Sequence, residues 1–72
     1  MKEKNELSSF VKQKRKLANI TQLELSQKAN VGLRFVRDLE QGKNSLRMDK
    51  VNDVLLLFNA ALIPATKKIE NE

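Results

Sequence analysis

At 72 residues, with a net charge of +5 and neither cysteine nor histidine, the chain is long enough for one small domain and is closed to much of enzyme chemistry. A disulfide framework, a thiolate or imidazole metal site and the common nucleophile and base pairings are all excluded, and the carboxylates, lysines and hydroxyls that remain assemble into no catalytic pair. No apolar run approaches the roughly 20 residues of a membrane span, and no signal-peptide apolar region follows the charged start, so the expectation is a soluble, cytoplasmic, non-enzymatic chain without metal or cofactor.

Residues 1–6 are polar and read as a loose arm. Over residues 7–18 the apolar Leu7, Phe10, Val11, Leu17 and Ala18 recur at helical spacing, with Ser8 or Ser9 near the start and lysines around the outside. Asn19 reads as the stop of this first helix. A second helix is predicted over residues 22–29, entered through Thr21-Gln22-Leu23-Glu24. In this capping box the Thr21 hydroxyl and the Glu24 carboxylate each satisfy a free backbone N–H, and Ile20 is placed to staple against Leu25. Leu25, Ser26 and Ala29 form its inner face.

Asn30-Val31-Gly32 is the turn that follows: Asn30 tolerates a left-handed backbone, and Gly32 leaves room at the start of the next helix. The third helix is predicted over residues 33–41 and stops at Gly42. Leu33, Val36 and Leu39 give it an apolar stripe, while Arg34, Arg37, Asp38 and Gln41 fall elsewhere. Lys43-Asn44-Ser45 is a polar connection. Met48, Val51, Leu55 and Phe58 then mark a fourth helix, widened by Val54 and Leu57 and ended by Asn59. Residues 59–64 read as a short strand halted by Pro64. A lone strand of this length cannot stand, so it pairs with the same strand of a second copy or remains an apolar tail. Residues 65–72 read as a frayed end.

The outline over residues 21–43 is a helix-turn-helix, and the cationic excess gives it a partner class. Residues 1–20 hold six Lys or Arg against two Glu, residues 21–45 four against three, and residues 46–72 four against four. Charge of this kind attracts a polyanion or simply solvates a helix; the motif beside it favours double-stranded DNA. A helix fits the major groove, where side chains near its N-terminus reach base edges. Leu33, Arg34, Phe35 and Arg37 are the candidates for base contact. Arg34 suits guanine O6 and N7, Leu33 or Phe35 a thymine methyl, and Arg37 a base or a phosphate. Phe35 fits equally as a core aromatic, and Arg37 as a surface residue paired with Asp38. Gln22, Gln41, Lys43 and Asn44 are candidates for phosphate contact.

The run over residues 7–55 resembles the Xre/Cro class of helix-turn-helix repressors, and VGLRFVRDLEQGK followed by LRMDKVNDVLLLF resembles the HipB-type antitoxins within it. The resemblance implies an all-α, lambda-repressor-like domain of four to five helices with a short C-terminal strand that pairs across a dimer. It matches Gln22 to a phosphate-binding glutamine, Val31, Val36 and Leu39 to core positions, and Gly42-Lys43 to the pair after the recognition helix. It also implies that Arg15 and Glu40 form a charged pair between the first and third helices, each needing the other where both are partly buried. The chain departs from the class at Asn30, commonly Gly, and at Gly32 and Arg37, commonly Ser.

The implied function is a homodimeric repressor of a palindromic operator, with a dimer interface drawn from Leu55, Phe58, Ala60, Leu62 and Ile63. As a HipB-type antitoxin it also binds a HipA-type kinase toxin and represses the operon encoding both. A protein-binding module that clamps its partner, and a lone phage-type repressor without a toxin, are the competing readings.

Overall fold

A computed structural model describes residues 5–66, and among these it contains four α-helices and no strand: α1 Glu6–Leu17, α2 Gln22–Ala29, α3 Leu33–Glu40 and α4 Met48–Leu56. The all-α architecture and the helix order are those predicted. The expected frayed tail falls outside the described residues from residue 67 on, as does the expected arm up to residue 4. Asn5 and Glu6 belong to α1 instead. Asn5 is its cap, with Oδ1 accepting from the Ser8 N–H at 2.7 Å while the Ser8 hydroxyl donates to the Asn5 carbonyl at 2.9 Å. The capping box of α2 forms as read, Thr21 Oγ1 accepting from the Glu24 N–H at 3.0 Å and Glu24 Oε1 from the Thr21 N–H at 2.8 Å.

All four helices end in one device. Within one to three residues past each helix end one residue is left-handed, with φ of 61° at Asn19, 59° at Asn30, 85° at Gly42 and 57° at Asn59. The N–H that follows then reaches back five residues: Ile20 to the Arg15 carbonyl, Val31 to Ser26, Lys43 to Asp38 and Ala60 to Leu55, at 3.0 to 3.3 Å. This arrangement satisfies carbonyls that a helix end otherwise leaves open. Three of the residues after the turn, Ile20, Val31 and Ala60, pack against the core, so each stop also fixes where the chain re-enters. Gly32 is different. Its φ is −72°, and a Cβ placed on it meets nothing within 4 Å, so the close approach expected there does not occur.

The core is Val11, Leu25, Ala29, Val36, Leu39, Val51, Val54 and Leu55, with Leu7, Phe10, Ile20, Val31, Phe35, Leu46, Phe58 and Ala60 packed around it. Each buried Val or Leu contributes about 1.5–3 kcal/mol. Helix α3 packs on α1 and α2, and α4 packs on α2. Leu17 and Ala18 do not turn inward as predicted; Leu17 is 73% exposed. The inward stripe of α1 is Ser8, Val11 and Arg15, spaced three and four residues apart, and six residues past Val11 the helix has rotated away from it. Met48 and Leu57 are likewise exposed, one at each end of α4.

The predicted strand at residues 59–64 does not form within the chain. Asn59 takes the left-handed stop of α4, and residues 60–66 run on without regular structure. A strand needs a partner edge, and no other described segment supplies one. The Leu62 N–H is instead taken by Asn52 Oδ1 of α4, at 2.8 Å.

Candidate nucleic-acid interface

Helix α3 has two faces. Val36, Leu39 and Glu40 are buried, while Arg34, with 88% of its side chain accessible, and Arg37 stand in solvent. Leu33 is half-buried at the first turn. Phe35, two residues from Arg37 and therefore on the other side of the helix, packs against the core cluster. Gln41 caps the C-terminal end and is exposed, as are Lys43 and Asn44 in the connection that follows. The helix is thus anchored by its apolar and acidic face and presents a polar, cationic one.

What anchors it is a polar cluster as much as the core. Arg15 of α1 grips Glu40 through two parallel bonds, Nε to Oε2 at 2.7 Å and Nη2 to Oε1 at 3.0 Å, and its Nη1 donates to the Ile20 carbonyl at 3.0 Å. The predicted pair is therefore formed. A third member went unread in the sequence: the Gln22 carboxamide donates to Glu40 Oε1 at 3.0 Å, tying α2 into the same site. Burial pushes the Glu40 carboxyl upward, but hydrogen bonds from Arg15 and Gln22 and the charges of Arg15 and Lys12 outweigh it. The group is held below its ordinary value. The hydrogen bond to Glu40 correspondingly raises Arg15.

Asp38 pairs with neighbours other than the one anticipated. Its Oδ1 lies 3.7 Å from Arg34 Nε and its Oδ2 3.6 Å from Lys43 Nζ, so it sits between two of the candidate DNA-contacting cations, and Arg37 makes no ion pair among the described residues. The i, i+4 spacing from Arg34 carried this signal in the sequence. Arg47, at the far end of the α3–α4 connection, also went unread. It forms a bidentate pair with Asp49 at 2.7 and 3.2 Å, and those bonds hold the exposed Asp49 carboxyl below its ordinary value.

The candidate dimer residues separate into two sets. Leu55, only 3% exposed, is committed to the chain's own core, and Phe58 and Ala60 pack against that core. Leu55 therefore cannot serve as a surface anchor. Leu62 and Ile63 are exposed, joined by Leu56 and Leu57 at the end of α4.

A capped α2, a three-residue turn and an α3 whose outer face is basic and unburied define a helix-turn-helix DNA-binding domain. The sequence model of the helix-turn-helix family matches residues 11–61, from the middle of α1 to beyond α4. The chain belongs to that family. It is also similar to the uncharacterised HTH-type transcriptional regulator y4mF of Sinorhizobium fredii (strain NBRC 101917 / NGR234), at 42% identity over 57 residues that span 79% of this chain and 75% of that protein.

Proposed function

We propose that the protein is a homodimeric transcriptional repressor that places two α3 helices in successive major grooves of a palindromic operator, about 34 Å apart. The observation that carries this reading is the division of α3, with Val36, Leu39 and Glu40 holding it to the body while Arg34 and Arg37 are left outside. Arg34 and Arg37, with Leu33 at the first turn, read bases. Gln22, Gln41, Lys43 and Asn44 contact phosphates and set the register. Phe35, packed on the core, supports the helix rather than the bases.

The dimer rests on the segment after α4. The N–H groups of Ala60 and Leu62 both turn back to α4, one to the Leu55 carbonyl and one to Asn52 Oδ1. Paired as a strand, in which successive residues offer their backbone groups to opposite sides, the segment would present the N–H groups of Ala61 and Ile63 to a partner. Pro64, which has no N–H to offer, alternates with Ile63 and would not interrupt that edge. Ile63 and Leu56, both more than two-thirds exposed, flank that edge with apolar surface. A second copy, pairing its own edge antiparallel, covers both.

A mobility-shift or footprinting assay on the protein's own promoter tests the repressor reading. The expected result is protection of an inverted repeat; binding that ignores sequence overturns it. The further role of HipB-type antitoxin to a HipA-type kinase toxin is carried by the sequence resemblance alone. It requires a kinase-like reading frame beside this one and co-purification of the two products; absence of that frame leaves the lone repressor.

A further inference from the structure

The outer side of α3 carries an anion that the base-reading scheme above does not use. Asp38 lies one turn beyond Arg34, with 22% of its side chain accessible, and its two oxygens approach Arg34 at 3.7 Å and Lys43 at 3.6 Å. The other acid of α3, Glu40, is turned into the body and engaged by Arg15 and Gln22. Asp38 is thus the one carboxylate of α3 in position to meet DNA.

A carboxylate there is costly unless it finds a donor. Phosphates repel it, and the two cations that neutralise it in the free chain are the ones that DNA claims, Arg34 for a base edge and Lys43 for the backbone. Ion pairs this long and this exposed are weak and readily exchanged. When they open, Asp38 faces the groove, where guanine O6 and N7 and thymine O4 are acceptors that repel it, while cytosine N4 and adenine N6 are donors. Adenine sets its N7 acceptor beside the donor; cytosine does not. We propose that Asp38 is a specificity-determining residue that accepts a hydrogen bond from a cytosine amino group in each half-site, at or beside the base pair read by Arg34. The inference rests on α3 being the reading helix, as proposed above.

Selection from a pool of random duplexes, using the full chain and its D38A, D38N and R34A variants, tests it. For the wild type the recovered half-sites hold a cytosine favoured about tenfold over thymine at one position, as for a typical base mismatch. D38A loses that preference alone, keeps the guanine that R34A loses, and binds random DNA several-fold more tightly because a repulsive charge is gone. D38N moves the preference from cytosine to adenine, whose N6 and N7 suit a carboxamide. Unchanged half-sites in both variants overturn the proposal. Loss of every preference in both, with thermal melts intact, also overturns it, because Asp38 then only positions Arg34. A wild type without any sequence preference fails the repressor reading itself, an outcome distinct from a wild-type preference that Asp38 does not govern.

Discussion

Removing the Glu40 carboxylate tests what holds α3 to the body. Glu40 is 2% exposed, and Glu40→Leu leaves the Arg15 guanidinium without its two carboxylate bonds and the Gln22 carboxamide without an acceptor. Breaking a buried pair from one side costs about 3–5 kcal/mol. The lower end applies, because Arg15 keeps its bond to the Ile20 carbonyl and 12% of its side chain reaches water. A domain of this size has about 4–11 kcal/mol of stability, so a loss of about 3 kcal/mol removes between a quarter and three-quarters of it. At about 4–8 °C per kcal/mol, the melting temperature falls by about 12–24 °C.

The assay is thermal and urea unfolding by circular dichroism at neutral pH, for wild type, Arg15→Met, Glu40→Leu and the double variant. Each single substitution strands a charge or a set of donors; the double strands neither of the pair, and apolar replacements can match a buried ion pair in stability. The double variant therefore recovers most of the loss, with a coupling energy of about 1 kcal/mol or more. Single losses below about 1 kcal/mol, or losses that simply add in the double variant, refute the claim that this cluster ties α1 and α2 to α3.

The acid limb of stability follows from the same group. Because the folded Glu40 carboxyl lies below its ordinary value, its contribution is complete above the ordinary carboxylate range and is lost as pH falls through the lowered folded value; Glu40→Gln flattens that part of a melting-temperature profile against pH. At the glycines, Gly42→Ala forces a side chain onto a φ of 85° and costs about 1–2 kcal/mol, whereas Gly32→Ser, at a φ of −72° in open space, gains a few tenths by supplying the missing cap of α3. Opposite shifts in melting temperature are the check, and equal shifts contradict the backbone assignment. In DNA binding, Arg34→Ala costs about 1–3 kcal/mol and relaxes one base position per half-site, while Lys43→Ala weakens all sites alike and lowers the salt slope by about one. Asn52→Ala releases Leu62 and shifts sedimentation toward the monomer; a dimer unchanged by this and by deletion of residues 60–72 removes the C-terminal segment from the interface.

Helix order and stops were legible because they depend on local chemistry. The Thr21 and Glu24 box, the asparagines at 19, 30 and 59 and the glycine at 42 act within a few residues of where they stand. The inner face of α1 was misread because apolar spacing cannot see Ser8 and Arg15. A buried serine that bonds back to the cap residue of its own helix and an arginine that faces a distant glutamate look, in sequence, like surface residues. Leu55 was misassigned to the dimer for the complementary reason. The apolar run of α4 is continuous through Leu55, Leu56 and Leu57, and only packing separates Leu55, inside, from Leu56, outside. At the site, the i, i+4 spacing of Arg34 and Asp38 is legible in the sequence, but the approach of Lys43 to Asp38 depends on how the chain turns at Gly42.

Under the proposed phosphate contact, the position of Gln22 would join stability to DNA binding. A carboxamide nitrogen carries two protons, and one of them is given to Glu40 at 3.0 Å, which fixes the side chain of the first residue of α2 before any phosphate arrives. A flexible glutamine would lose rotamer freedom on binding, about 0.5–1.5 kcal/mol for a long side chain. Here the bond to Glu40 imposes that order in the free protein, and the second proton would remain for the proposed phosphate. Loss of Glu40 should therefore weaken DNA binding beyond its effect on folding. With Glu40→Leu, which leaves no acceptor, at a temperature where it is fully folded, operator affinity falls by several-fold, and in a Gln22→Ala background the same substitution has no further effect. An equal loss in both backgrounds shows that Glu40 acts on α3 alone and that Gln22 gains nothing from its tether.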